Sequence, residues 1–238
     1  MRRPWLAGFR SRPCIACWLD TDGARLRLDR GIPNRSRSGR KPLRKLRRIV
    51  GREVQRQARQ GRRVRLLFED EARFGRINDP RRCWAPPGIR PEVSAHIVRE
   101  YSYVYAAVSP HDGTLDSLVL PFVSAEAMSW FLREVSRRHP DEFLLMILDG
   151  AGWHLSHELV IPPHMRLLAL PPYSPQLNPQ EHIWDELREK WFNNVVFDSL
   201  DAVEDRLVQG LAELEQSPGK VASLTGFDWI ISIPLNAT

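Results

Sequence analysis

Cysteine is scarce, with three in 238 residues, which argues against a disulfide framework. Cys14 and Cys17 form a lone C-x-x-C with no second ligand pair nearby, weak ground for a zinc or redox site. No apolar run approaches the ~20 residues that a membrane-spanning helix needs. The N-terminus also lacks the apolar region of a signal peptide, so a cytoplasmic protein is expected. No internal repeat is evident. Acidic residues are nearly missing from the first 63 positions, which hold 20 Lys or Arg against 4 Asp or Glu, net +16. The remainder reverses the balance, with 15 against 25, net −10.

The chain therefore reads as a basic arm, residues 1–63, joined to an acidic body, residues 64–238. Hydrophobic content of 42% is that of a globular protein with ample length for a core. An arm of this charge density meets phosphate through counterion release, although a solvated Arg-rich leader would have the same composition. Residues 1–40 show no sustained period and are assigned no structure. From Lys41 to Gln60 a helical period emerges, with Leu43, Leu46, Val50 and Val54 on one stripe. Arginines and lysines surround that stripe, and Arg40, Lys41, Arg44, Lys45, Arg47 and Arg48 are the candidate nucleic-acid contacts. Such a helix would lie along DNA or pack on the body, and Gly61 ends it.

The body predicts strands at Val64–Phe68, Arg82–Trp84, Tyr101–Val108 and Thr114–Phe122, the last two joined by a turn over residues 109–113. Ser124 caps a helix to about Arg138 with Ala127, Trp130, Phe131 and Val135 on its inner side. Strands follow at Phe143–Leu148 and Met165–Leu170, then a helix after residue 178 and another over Ser199–Glu215. Strands first and alternating units afterwards describe an α/β fold, a mixed sheet with helices on both faces.

The stretch from Leu144 to Trp191 organises the rest. A buried apolar run stops at Asp149-Gly150, and a second stops at Pro171-Pro172. A proline-rich loop then leads to a helix in which Ile183, Trp184, Leu187 and Trp191 share one arc and Glu181, Asp185 and Arg188 the opposite one. Asn178 is a good N-cap, Pro179 the first helical residue and Glu181 the third, so a capping box between Glu181 and the Asn178 amide is expected. Asp149 has an equally plain account as the Asp of an Asp-Gly turn. Together with Asp70, which follows the first strand, these residues can instead converge at one edge of the sheet, where Glu69 and Glu71 alternate away from Asp70. Three carboxylates in one place repel unless a cation lies among them. Hard oxygen ligands suit Mg²⁺ or Mn²⁺, and a pair of such ions can clamp an in-line phosphoryl displacement. The residues alone thus point to a metal-dependent nuclease or strand transferase.

Four segments then carry a resemblance: Phe68-Glu-Asp-Glu-Ala-Arg-Phe-Gly, Arg82-Cys-Trp-Ala-Pro-Pro-Gly, Ile147-Leu-Asp-Gly-Ala-Gly-Trp-His154, and the run from Leu170 through Tyr173 and Asn178 to Trp184. Over roughly residues 55–230 the chain resembles the catalytic domain of bacterial insertion-sequence transposases of the mariner-related DDE superfamily. The resemblance implies a ribonuclease H-like fold, with Asp70, Asp149 and Glu181 as the catalytic, metal-binding triad. It further implies two Mg²⁺ or Mn²⁺ ions, bridged by Asp149, and cut-and-paste DNA transposition by a homodimer that joins transposon ends to target DNA. His154 would contact a phosphate or serve as a plain loop histidine. Arg188 would contact DNA or pair with Asp185 along the helix.

The helix-turn-helix units that precede such a domain in the family have no convincing counterpart in residues 1–63. A truncated copy, or the second half of a split gene, is the expectation. The competing reading is an inactive remnant that only binds DNA.

Overall fold

The computed structural model describes residues 37–77, 80–81, 83–94, 97–150, 158–172 and 174–235, with side chains from Pro42 onward. The Cys14 and Cys17 pair, Arg82, Trp153, His154 and Tyr173 lie outside the described residues, as do the side chains of Arg40 and Lys41.

The body is a five-stranded sheet in the order β3-β2-β1-β4-β5. Its strands are β1 (Val64–Ile77), β2 (Ile97–Ser109), β3 (Thr114–Leu120), β4 (Phe143–Leu148) and β5 (Met165–Ala169). The first three form an antiparallel meander, whereas β4 and β5 run parallel to β1. Helix α1 (Arg37–Ala58) precedes the sheet and α2 (Ala125–Arg138) crosses from β3 to β4. After β5 come α3 (Gln180–Lys190), α4 (Leu200–Glu215), α5 (Pro218–Thr225) and α6 (Asp228–Ile231). Among the described residues no helix is long and apolar enough to cross a membrane.

Strand alternation divides the core into two layers. Leu66, Phe68, Ala72 and Phe74 of β1 face one cluster, which is closed by Leu46, Val50 and Val54 of α1 and by α3, α4, α5 and α6. Leu67 of β1 faces the other, where Ala127, Phe131 and Val135 of α2 cover Tyr105, Leu144 and Met146. All six residues of β4 are buried, as expected of a strand covered on both faces. Helix α1 keeps its expected stripe on the core, and Glu53 of α1 is held by Arg166 of β5 at 2.5 Å and by Gln57 at 2.7 Å.

Four expectations are corrected. The first strand does not end at Phe68 but runs to Ile77, because β2 pairs with it well past the last β4 partner. Cys83 and Trp84 form no strand; they sit in a proline-flanked connection and Trp84 is 84% exposed. Trp130 lies on the outside of α2, beside Phe122, while Met128 and Leu132 take the inner face. The capping box at the start of α3 is absent: the Asn178 amide donates to the Pro175 carbonyl at 2.8 Å and is not available to Glu181.

Candidate active site

Parallel pairing brings two of the candidate carboxylates level. β1 and β4 are in register with Phe68 opposite Ile147, and two residues further along each strand stand Asp70 and Asp149. Adjacent strands lie ~4.8 Å apart, so the two aspartates share one end of the sheet. Asp70 occupies the interior of β1, held flat by its pairing with Ala106 of β2. Asp149 follows the last residue of β4, where the sheet gives way to loop.

Glu181 arrives from the far side. Leu170 stops β5, Pro171 and Pro172 prevent its continuation, and a 3₁₀ turn over Pro175–Leu177 redirects the chain into α3. Asn178, 4% exposed, fixes the junction. Its Oδ1 accepts from the Gln180 amide at 3.2 Å, while its Nδ2 donates to the Glu69 carbonyl at 3.3 Å. One side chain therefore ties the first turn of α3 to the residue before Asp70. With the capping role gone, the Glu181 carboxylate faces a cavity of about 700 Å³. Asp70, Asp149, Gly150, Pro171, Asn178 and Glu181 are among its lining residues.

Trp184 completes the arrangement in a way its apolar position in the sequence did not announce. It is buried one turn after Glu181, stacks edge-on against Phe74, and donates from Nε1 to Asp70 Oδ2 at 2.9 Å. Burial pushes the Asp70 carboxyl up to about 7; the Trp184 bond opposes that rise, and the negative charges of Glu181, Glu71 and Asp149 add to it. Glu69, on the opposite face of β1, is raised well above the usual range by burial and then by Glu71, Asp70 and Asp149. Replacing Trp184 with Phe keeps most of the ring and removes the donor. The expected result is a loss of about 1–3 kcal/mol in urea unfolding, with the Asp70 carboxyl shifted further upward.

The donor set suits a hard divalent cation. Among the described residues no three Asp, Glu, His or Cys side chains close around a single point as they stand. A preformed cage is not what such an ion requires, since Mg²⁺ keeps several waters and is held by one or two carboxylates together with substrate phosphates. Two level aspartates at the end of a sheet, with a glutamate facing them across a cavity, provide those oxygens.

The remaining candidate nucleic-acid residues are dispersed. Arg44, Lys45, Arg47 and Arg48 are exposed on α1, with Lys45 lining a cavity beside Ala169, Leu170, Pro171 and Pro172 and Arg47 reaching Ser232 Oγ at 3.0 Å. Arg188 is not beside the carboxylates: it lies two turns further along α3 over the Phe74 ring, 5.5 Å from its centre. Among the described residues it forms no ion pair with Asp185, which is exposed. Asn178 and Trp184 are the site residues that sequence reading missed. A polar residue after a 3₁₀ turn and a tryptophan polar at one edge were the available signals.

The family described as DDE superfamily endonuclease matches residues 65–204. A protein of Sinorhizobium fredii (strain NBRC 101917 / NGR234), named Uncharacterized protein y4pE/y4sA, is 35% identical over 130 residues, covering 54% of this chain and 96% of that protein. The Mos1 transposase paired-end complex with left transposon end is similar in structure, with a TM-score of 0.51 at 17% identity over 89% of this chain and 68% of that one. The Mos1 mariner paired end complex with Mn gives a TM-score of 0.52 at 17% identity over 88% and 68%. At that identity the likeness is one of fold, the ribonuclease H-like mixed sheet described above.

Proposed function

The chain belongs to the DDE superfamily endonucleases, and from that premise we propose that it is the catalytic domain of an insertion-sequence transposase. It would cut DNA at transposon ends and join the freed strand to target DNA. The observation that carries this reading is the convergence of Asp70, Asp149 and Glu181 on one cavity from β1, β4 and α3. Residues 64–238 would form the catalytic unit, and residues 1–63 a basic arm whose helix α1 docks on it.

Asp70, Asp149 and Glu181 would hold divalent cations, Mg²⁺ or Mn²⁺ and most simply a pair. Bound there, such ions neutralise phosphodiester oxygens and lower the pKa of an attacking water. The chain's own contribution is positioning. Trp184 keeps Asp70 Oδ2 engaged, and Asp70 lines the cavity. Asn178 fixes the start of α3 and so the reach of Glu181. Burial raises the Asp70 carboxyl to about 7, so Asp70 would hold a cation in its ionised form, having released its proton. No side chain needs to form a covalent intermediate, because the 3′-hydroxyl released by the first cut can attack the target directly. The exposed cations of α1, Arg44, Lys45, Arg47 and Arg48, with Arg40 and Lys41 beside them in sequence, would engage backbone phosphate. A homodimer would bring two ends together.

The test is a DNA duplex carrying the element's own ends, supplied intact or already cut, with Mn²⁺ or Mg²⁺. Nicking of the intact duplex and joined products from the cut one are expected, both lost on chelation. Nicking without joining would leave a hydrolytic nuclease, and silence on both substrates would leave a DNA-binding remnant.

A further inference from the structure

A second cavity, of about 380 Å³, opens along the same β1 and α3 seam. Arg73, Arg81 and Arg188 line it together with Phe74, Phe192 and Phe197, and among the described residues no acidic side chain does. The connection to the carboxylates is continuous: Asp70 bonds to Trp184, Trp184 meets Phe74, and Phe74 lies under Arg188. Asp70 to Phe74 is four strand residues and Glu181 to Arg188 seven helical ones. At ~3.3 and ~1.5 Å per residue the cavities are about 10–13 Å apart. That is the axial length of roughly three or four nucleotides of B-DNA, at ~3.4 Å each.

The charges here are available. Arg188 stacks on Phe74 and has no carboxylate partner among the described residues. Among the described residues Arg81 is ion-paired with Glu189 alone, at 3.2 Å, whose side chain is 58% exposed, so that pair contributes little and can exchange. Beyond Phe68 the edge of β1 no longer carries β4. A guanidinium lying on an aromatic face is preorganised as a fork for phosphate.

We propose that this cavity binds a backbone phosphate of the DNA strand three or four nucleotides from the bond placed at the carboxylates. It sets the position of that bond without reading base sequence. The inference rests on the reading of the carboxylate cavity as a DNA-cleaving centre. Arg188 and Arg81 carry the contact, with Phe74 holding the Arg188 guanidinium.

The test is anisotropy of a labelled duplex with the full chain, in EDTA, over a series of NaCl concentrations, for wild type, Arg188→Gln and Arg81→Gln. Each variant is expected to bind several-fold more weakly, by the same factor on end-containing and scrambled duplexes. The slope of log K against log salt should become shallower by about 0.9 for each phosphate no longer neutralised. Unchanged affinity and slope in both variants would overturn the proposal, as would a weakening confined to one sequence, which is base readout. If Arg188→Gln does not fold, Arg81→Gln decides the question alone, because the Arg81 side chain is 37% exposed and its substitution leaves the Arg188 stack on Phe74 intact. Binding is read without cation and cutting with it, so a wild type that binds here but never cuts once Mn²⁺ is added would refute the cleaving-centre reading on which this inference rests, whereas a wild type that cuts while both variants bind unchanged would overturn this inference alone.

Discussion

Replacing Asp149 with Asn is expected to lower cation-dependent nicking by about 10³-fold or more, with no loss of folded protein. A carboxylate that holds a catalytic cation supports several kcal/mol of transition-state stabilisation, and each ~1.4 kcal/mol is worth a factor of ten in rate. Asn is the same size, so the change removes charge and leaves shape. β4 is buried along its whole length and in register with β1, so the backbone that carries Asp149 is fixed by the sheet. Quantitative nicking of a labelled duplex, alongside thermal unfolding of both proteins, separates a catalytic loss from a folding one. A variant that retains a tenth of the wild-type rate would remove Asp149 from the machinery.

The second large effect has the opposite sign on stability. Asp70→Asn should abolish cutting and yet stabilise the cation-free protein near neutral pH and above. The native carboxyl is raised from 3.8 to about 7, while in the unfolded chain it ionises normally. Below about pH 3.8 the group is protonated in both states and adds no penalty. As pH rises toward 7 the unfolded state gains by ionising and the folded state does not, so wild-type stability falls through that window and stays reduced above it. At ~1.4 kcal/mol per pK unit the full penalty is on the order of 4 kcal/mol, or ~10 °C in Tm for a chain of this size. Asn keeps an oxygen for the Trp184 indole and does not titrate. The variant and the wild type should melt together near pH 4 and diverge by pH 8, and Mn²⁺ should narrow the gap by stabilising the wild type alone. A gap that is constant with pH would show that Asp70 is ionised in the cation-free fold.

Much of this arrangement is legible in the sequence. The run Phe143–Leu148 ending in Asp-Gly could only be a short buried element, and Ser124 caps its helix through its side chain as expected. Periodicity placed Ile183, Trp184 and Leu187 on one side of α3, where all three are buried. The errors came where tertiary contacts overrode local pattern. Glu69-Asp70-Glu71 looked like the end of a strand because three acids seldom continue one, yet β2 pairs with all three. Glu69 is fully buried, and that burial raises its carboxyl well above the usual range. Cys83 and Trp84 resembled a strand by composition, but the prolines beside them leave no ladder to join. The short α5 and α6 were not placed at all, since eight and four residues are too few for a period to declare itself. The triad itself was readable as three acids after or near apolar runs. The bonds that aim them were not, because Asn178 to Glu69 spans 109 positions and Trp184 to Asp70 spans 114. Distant pairs of that kind leave no trace in local spacing.

The central claim, that β1, β4 and α3 deliver their carboxylates to one cation-holding site, is most directly tested by titrating Mn²⁺ into the full chain and following free Mn²⁺ by electron paramagnetic resonance. The wild type should take up Mn²⁺ saturably, and Asp70→Asn, Asp149→Asn and Glu181→Gln should each weaken that uptake about tenfold or more, within the range seen when a ligand carboxylate or its partner is removed. Wild-type uptake left unchanged by all three substitutions would contradict the account.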